Sequence, residues 1–104
     1  MRRGEIWWVS LPSPIGRRPV LLLSRNRAYT VRTRVTVAQI SSTIRGIRSE
    51  VQLTSDDGMP RDCAVNLDEI LTVPKLSLES RITTLSPDKM ADVARAIRFA
   101  LDIE

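Results

Sequence analysis

Hydrophobic positions along the chain fall into short runs separated by polar turns, a pattern typical of β strands. Residues 4–11 and 34–41 are rich in strand-forming residues, and residues 18–24 form a continuous apolar run that predicts a strand buried on both faces. Shorter runs predict further strands at 49–54, 63–67 and 69–73. The pattern therefore predicts five or six short strands in a small, strongly curved antiparallel sheet or barrel.

Polar segments between these runs carry the residues that break strands. Residues 12–18 contain two prolines and a glycine and are predicted to form a loop, while residues 55–62 form a turn cluster. Residues 25–32 make a polar connection around Tyr29. Such breaks allow each strand to turn back beside its neighbour in an antiparallel sheet.

The end of the chain changes to helical spacing. Ser86 occupies an N-cap position and Pro87 the first helical position. Apolar residues then recur three or four positions apart, which predicts one stripe packed on the sheet. The members of that stripe are Met90, Val93, Ala94, Ile97 and Leu101. The predicted fold class is therefore mainly β with a C-terminal helix.

Length and cysteine content set limits on the class of protein. The 104 residues suffice for one domain, residues 1–104, with one compact core. No apolar run approaches the roughly 20 residues needed to cross a membrane, and the first apolar stretch is too short for a signal peptide. The single Cys63 leaves no internal disulfide and fits a reducing compartment. We therefore expect a cytoplasmic protein that does not bind membranes.

The absence of histidine removes much of the common catalytic repertoire. With no histidine and one cysteine, the chain cannot form a Ser-His-Asp or Cys-His arrangement. A zinc site built from nitrogen and sulfur ligands is nearly excluded for the same reason. We expect neither a metal site nor another cofactor, so any enzyme of this sequence must work without imidazole.

Charge is distributed unevenly along the chain. Residues 1–48 hold ten arginines and one acid, Glu5, for a net charge of +9, whereas residues 49–104 hold six basic and eleven acidic residues, for −5. Fourteen of the sixteen basic residues are arginine, whose planar fork pairs with phosphate and stacks on bases. The basic half therefore indicates either a polyanion partner or a solvated basic face.

Five segments, which follow one another from residue 2 to residue 103, carry a family resemblance. They are RRGEIWWVSLP, RRPVLLLSRN, VAQISS, CAVNLDEILTVPKLSL and TTLSPDKMADVARAIRFALDI. An arginine directly precedes the proline in the second segment, and the third segment ends in a pair of serines. By these features the chain resembles the MazF/PemK family of toxin endoribonucleases, which belong to type II toxin–antitoxin systems.

The resemblance implies a fold, an activity and partners. The implied fold is an SH3-like small barrel of the MazF/CcdB type, assembled as a homodimer. The implied activity is sequence-selective cleavage of single-stranded RNA without a metal, leaving 2′,3′-cyclic phosphate and 5′-hydroxyl ends. A cognate antitoxin is expected to lay an acidic, otherwise disordered tail across the RNA groove.

The resemblance also implies two catalytic residues, Arg18 and Ser41. Arg18 matches the family's catalytic arginine because it directly precedes Pro19. A guanidinium there would stabilise the negative charge that grows on the phosphate oxygens as a 2′-hydroxyl attacks phosphorus. Ser41 matches the family's catalytic Thr or Ser, whose hydroxyl would assist at the phosphate. The adjacent Ser42 and Thr43 leave this second assignment open by one position.

Further residues are candidates for binding RNA. Arginines near the second strand would contact phosphates, aromatic residues would stack on bases, and polar residues at the end of the third strand would contact the substrate. The two adjacent tryptophans point to opposite faces of a regular strand, so at most one of them is expected to face RNA. The candidates are Arg17, Arg25, Arg27, Trp8 (or Trp7), Tyr29, Gln39 and Ser42. Cys63 is expected to be a small core residue.

One departure from the family pattern leaves alternatives open. No acid lies between Leu11 and Arg18, whereas many relatives carry one in this loop, so the general base stays unassigned. The chain could therefore be an RNA-binding barrel that lacks catalysis. A CcdB-like poison of DNA gyrase is a third class, although the chain ends in FALDIE without the Trp-Gly-Ile ending of that group.

Overall fold

The computed structural model, which describes all residues from 1 to 104, contains six strands and two helices. In chain order they are β1 (Glu5–Ser10), β2 (Arg17–Leu22), α1 (Ala28–Val31), β3 (Arg34–Ser41), β4 (Glu50–Leu53), β5 (Cys63–Pro74), β6 (Leu78–Thr84) and α2 (Pro87–Ala100). Short 3₁₀ turns precede β5 and β6, at Ser55–Asp57 and Lys75–Ser77. The predicted class, mainly β with a C-terminal helix, is confirmed.

The six strands form one antiparallel sheet in the order β4-β5-β3-β2-β1-β6. The strands β4 and β6 lie at its two edges and do not pair with each other. The sheet is therefore an open, curled half-barrel and not a closed barrel. Register shifts between β1 and β6 and between β3 and β5 interrupt the ladder, and such irregularities bend a strand and increase its twist. The bending brings the ends of several strands towards one side of the sheet.

The central strand β2 is buried on both faces, as its continuous apolar run predicts. Leu21 belongs to the main core, a cluster of fourteen buried residues that includes Val93 and Ala96 of α2. Val20 and Leu22 belong to the second core, a cluster of eight residues. Because alternate side chains of a strand point to opposite faces, the two cores lie on opposite sides of β2. This double anchoring fixes the residues at the start of the strand.

The helix α2 begins where the sequence predicts. The Ser86 hydroxyl accepts a hydrogen bond from the Lys89 backbone N–H at 3.1 Å, and Pro87 is the first helical residue. The predicted stripe is correct for the helix interior, where Val93 is fully buried. It is wrong for Leu101, which is 54% exposed because the helix ends one residue earlier. Neither helix combines the length and the apolar character that a membrane-spanning helix requires.

The strand β5 is continuous, whereas the sequence pattern predicts two strands at 63–67 and 69–73. Ala38 of β3 pairs with Ile70, but the next residue, Gln39, pairs with Asn66. Residues 67–69 therefore bulge out of the ladder without ending the strand. A bulge and a turn both interrupt the alternation of apolar residues, so the sequence pattern wrongly divides this one strand into two.

Two further elements were not predicted. The edge strand β6 has a single buried residue, Leu78, so it lacks the apolar alternation that marks a half-buried strand. Within the predicted polar connection, residues 28–31 form the single helical turn α1. Ala28 and Tyr29 of this turn are buried, and Tyr29 belongs to the second core.

Candidate active site

A pocket of about 420 Å³ lies where the start of β2, the end of β3 and the loop before β5 meet. Ile40, Met59 and Cys63 of its lining belong to the main core, so one side of the pocket rests on the core. Its thirteen lining residues are Trp8, Ile15, Arg17, Arg18, Pro19, Ile40, Ser41, Ser42, Met59, Pro60, Arg61, Cys63 and Ile82. Five of the nine predicted site residues are thereby brought together.

The lining of the pocket is strongly positive. It contains three arginines, Arg17, Arg18 and Arg61, and no aspartate, glutamate or histidine. Arginine keeps its proton under all ordinary conditions and offers five N–H donors in a planar fork. Apolar side chains and two serines supply the rest of the surface. This combination suits a phosphate attached to an apolar group, which is the chemistry of a nucleotide.

Arg17 is held by two neighbours. Its guanidinium carbon lies 4.1 Å from the centroid of the Trp8 ring, and its Nε donates a hydrogen bond to Glu79 Oε1 at 2.8 Å. A cation over an aromatic face is attracted by the ring's electron density. Arg17 therefore covers one face of Trp8 while it neutralises a carboxylate of β6.

Arg18 has a different environment from Arg17. Its Nε donates a hydrogen bond to the Ile15 carbonyl at 3.2 Å, and none of the protein's salt bridges includes it. Pro19, which follows it, pairs with Trp8 across β1 and β2. Arg18 is thus the second residue of a strand that both cores anchor, and its charge has no carboxylate partner within the protein.

Ser41 lies at the last position of β3 and lines the pocket. Its hydroxyl oxygen accepts a hydrogen bond from the Thr43 backbone N–H at 3.0 Å. A serine hydroxyl has one proton to donate, and this proton stays available for a ligand. The pocket lining contains no carboxylate or imidazole that could accept the serine proton and so activate a serine nucleophile. Ser41 is therefore suited to donate a hydrogen bond and not to attack phosphorus covalently.

The thiol of Cys63 is a buried part of the pocket lining. The side chain is 4% exposed and belongs to the main core, as the sequence analysis expects. Burial raises the pKa of the Cys63 thiol, and the nearby carboxylates of Asp62 and Asp57 raise it further. The thiol therefore stays protonated at neutral pH, and a protonated thiol is a poor nucleophile and a poor base.

Glu5, the only acid of residues 1–48, does not reach the pocket lining. It is 6% exposed and accepts hydrogen bonds from Trp7 Nε1 at 2.9 Å and from the Arg2 backbone N–H at 3.1 Å. Burial acts to raise the pKa of Glu5, but these hydrogen bonds, the N-terminal charge and Arg81 lower it overall. Glu5 is therefore an ionised structural group, and it also holds Trp7 away from the pocket.

The two tryptophans occupy different environments, as strand alternation requires. Trp8 lines the pocket, whereas Trp7 packs against the second core. Trp8 is therefore the tryptophan of the pocket, and it stays the predicted stacking residue.

Four predicted RNA-binding residues lie outside the pocket lining. Arg25 and Arg27 are exposed in the turn before α1. Gln39 is half-buried and pairs with Val20 of β2. Tyr29 is only 6% exposed within the second core, so the structure corrects its predicted role: its ring offers no face on which a base could stack.

The loop that completes the pocket is not among the predicted site segments. Met59, Pro60 and Arg61 line it from residues that the sequence predicts only as a turn cluster. One signal for this loop is present in the sequence: residues 55–62 contain a single arginine among three aspartates. Arginine is not one of the residue types that favour turns, so its presence there indicates another role.

Comparisons with known sequences identify the family. A profile described as "PemK-like, MazF-like toxin of type II toxin-antitoxin system" matches residues 2–101. The "Probable endoribonuclease MazF5" of Mycobacterium tuberculosis strain H37Rv is 42% identical over 101 residues, which cover 96% of this chain and 92% of that protein. The "Probable endoribonuclease MazF2" of the same species is 39% identical over 99 residues, covering 94% and 95%. The chain therefore belongs to the PemK/MazF family of type II toxins.

Solved structures agree with this assignment. The Mycobacterium tuberculosis toxin MazF-mt6 superposes with a TM-score of 0.89 at 32% identity, covering 96% of this chain and 98% of that one. An endoribonuclease from a mycobacterial species, solved in complex with its cognate antitoxin, has a TM-score of 0.90 at 25% identity, covering 100% and 97%. The family resemblance and the MazF-type fold that it implies are confirmed.

Proposed function

We propose that this toxin is an endoribonuclease that cleaves single-stranded RNA without a metal, leaving 2′,3′-cyclic phosphate and 5′-hydroxyl ends. The observation that carries the proposal is that Arg18 and Ser41 line one pocket whose other polar groups are arginine, serine and a buried thiol. Family membership supports the same activity, since the curated relatives are named as endoribonucleases.

The proposed reaction is an internal transfer of the phosphoryl group. The substrate's 2′-oxygen loses its proton and bonds to phosphorus, while the bond to the 5′-oxygen breaks and that oxygen gains a proton. Negative charge builds up on the two non-bridging oxygens during this step. Arg18, which has no internal carboxylate partner, stabilises that charge more strongly in the transition state than in the bound substrate.

Ser41 assists at the same phosphate by donating the hydroxyl proton that its contact with Thr43 leaves free. No lining side chain is an effective base at neutral pH, because the lining has no carboxylate or imidazole and the thiol pKa is raised. The acceptor of the 2′-hydroxyl proton is therefore not assigned to a pocket residue.

The remaining pocket residues would bind the RNA strand. Trp8 and the apolar lining form a surface on which a base stacks, and Arg17 and Ser42 contact the backbone beside it. Three further residues outside the pocket stay predicted contacts for the RNA strand: Arg25, Arg27 and Gln39.

We further propose two protein partners. A cognate antitoxin with an acidic, disordered tail would compete for the basic pocket, and solved relatives include toxins in complex with their antitoxins. A second copy of the chain would form a homodimer. Exposed apolar residues at the end of α2, among them Phe99 at 47%, support an interface there.

The proposal is tested by incubating a long mixed RNA with the protein in EDTA and mapping the new 5′ ends. We expect cleavage with cyclic phosphate termini, and we expect Arg18→Ala to slow it by at least about 10²–10³-fold, as for removal of other transition-state donors. The matched control is Arg32→Ala, since Arg32 is exposed and lies outside the pocket.

Three outcomes would contradict the proposal. Cleavage by Arg18→Ala at the rate of the unmodified protein would remove the catalytic role of Arg18. RNA binding without any cleavage by the unmodified protein would instead indicate a non-catalytic RNA-binding barrel, and inhibition of gyrase supercoiling without cleavage would indicate a CcdB-like poison.

A further inference from the structure

We infer that Arg61 binds a substrate phosphate next to the one that reacts, and so fixes the register of the RNA strand in the pocket. This inference rests on the proposed endoribonuclease function. Arg61 approaches the pocket from the loop before β5, whereas Arg17 and Arg18 approach it from the start of β2. A strand that crosses the pocket between these two elements meets guanidinium groups on both sides.

The loop that carries Arg61 is fixed on both sides of its turn. Thr54 and Asp57 form a reciprocal capping box around the 3₁₀ turn, with the Thr54 N–H donating to Asp57 Oδ2 at 2.9 Å. The Asp57 carbonyl accepts a hydrogen bond from Thr83 Oγ1 at 3.0 Å. Met59 is 5% exposed within the main core. Arg61 is therefore presented from an anchored loop, which lowers the entropic cost of binding.

The guanidinium of Arg61 is unpaired although its segment is acidic. None of the protein's five salt bridges includes Arg61. Of the acids in the same turn cluster, Asp57 is already engaged by Lys89 at 3.7 Å and by the capping box, and the adjacent Asp62 forms no salt bridge with Arg61. An exposed arginine in this setting is available to an external anion.

The chemistry of the site favours phosphate as that anion. Met59 and Pro60, which precede the arginine, add apolar surface to the lining, so the same loop can contact a sugar or base while the guanidinium pairs with the adjoining phosphate. A phosphate contact positions the strand without distinguishing its bases. Arg61 should consequently strengthen binding of every RNA sequence alike, and the base preference should come from the other residues of the pocket.

The test compares Arg61→Ala with Arg32→Ala, which removes the same charge outside the pocket. Binding is measured on an RNA oligonucleotide whose mapped cleavage site carries a 2′-deoxy sugar, so that attack is blocked. We expect Arg61→Ala to weaken binding about tenfold, as for loss of a charged hydrogen bond. The slope of log affinity against log salt should fall by about 0.7, since one fewer phosphate is neutralised.

Steady-state cleavage separates a binding role from a catalytic or structural one. We expect Arg61→Ala to raise KM with kcat unchanged, because the contact is equal in the ground and transition states. Equal affinity and equal salt slope for both variants would overturn the inference, and so would a fall in kcat at constant KM. If the Arg61→Ala variant has a lower melting temperature than the unmodified protein, the binding measurement is repeated with Arg61→Gln, whose side chain is closer to arginine in length.

The outcome for the unmodified protein separates this inference from the proposed function. If the unmodified protein cleaves RNA and Arg61→Ala binds normally, only the role of Arg61 is wrong. If the unmodified protein neither binds nor cleaves RNA, the proposed function and the inference are both wrong.

Discussion

Two adjacent arginines at the start of β2 differ in what surrounds them. Arg17 stacks on Trp8 and pairs with Glu79, whereas Arg18 donates only to a backbone carbonyl. A substrate phosphate must compete with Glu79 for Arg17, but it meets no such competitor at Arg18. This difference supports Arg18 as the residue that acts on the reacting phosphate and Arg17 as a residue that adjusts affinity.

Removal of the competing carboxylate should therefore strengthen RNA binding. We expect Glu79→Gln to raise the affinity about two- to fivefold, since an exposed ion pair is worth about 0.2–1 kcal/mol. The salt dependence should become steeper, because Arg17 then meets its phosphate without Glu79 as an internal counter-charge. Fluorescence anisotropy with the uncleavable oligonucleotide measures both quantities.

Asp92→Asn is the matched control for this substitution. It also removes a negative charge and an exposed ion pair, the one with Arg95, but it lies on α2 outside the pocket. If both variants gain the same affinity, the effect is one of net charge, and the competition at Arg17 is refuted.

At the level of single residues, the candidate catalytic pair comes from short motifs that carry the family resemblance. Arg18 directly before Pro19 and Ser41 at a strand end are local features, and both residues line the pocket. Tyr29 could not be placed in this way, because its burial depends on packing against strands that are distant in the sequence. Arg61 was missed because only the folded sheet brings its loop beside β2.

At the level of elements, prediction succeeded where one pattern dominates. The helix α2 has a cap, an N-terminal proline and an apolar stripe, and β2 has an uninterrupted apolar run. Prediction failed for β6, whose residues are mostly exposed. This edge strand is determined by backbone pairing with β1, which leaves no hydrophobic periodicity in the sequence.

The turn before β5 offers a test of how an element supports the site. Gly58 has a φ of 90°, and an added Cβ would clash with Thr83 Oγ1. We expect Gly58→Ala to lower the free energy of unfolding by roughly 2–3 kcal/mol, from backbone strain and from this clash. The displaced loop should also weaken RNA binding through Arg61. Urea denaturation measures the first effect and anisotropy the second.

Gly46→Ala isolates the contribution of the clash. Gly46 also has a positive φ, of 69°, but nothing lies within 4 Å of its added Cβ. This control should show the backbone strain alone, about 1–2 kcal/mol, with normal RNA binding. Equal loss of stability in the two variants would mean that Thr83 yields without cost and that the loop is less rigid than its contacts indicate.

At the level of the whole molecule, the fold mixes two halves that differ in charge. Salt bridges join Arg17 to Glu79 and Arg81 to Glu5, so each pair combines one residue from either half. The pocket excludes all eleven acids of residues 49–104, yet it takes Arg61 from that acidic half. Uneven charge along a sequence can therefore predict a polyanion partner, but the strand order determines where that partner binds.

The proposed homodimer gives the last test. Phe99 and Ile103, 47% and 53% exposed, border one hollow with Arg48, whose guanidinium lies 4.4 Å from the Phe99 ring. If a second copy covers this surface, Phe99→Glu should shift the mass measured by light scattering from twice 11.7 kDa towards the single chain. Leu76→Glu is the control, since Leu76 is 100% exposed on another turn and should leave the dimer intact. A dimer that persists in Phe99→Glu would place the interface elsewhere, because the substitution removes the exposed aromatic ring that a second copy would bury.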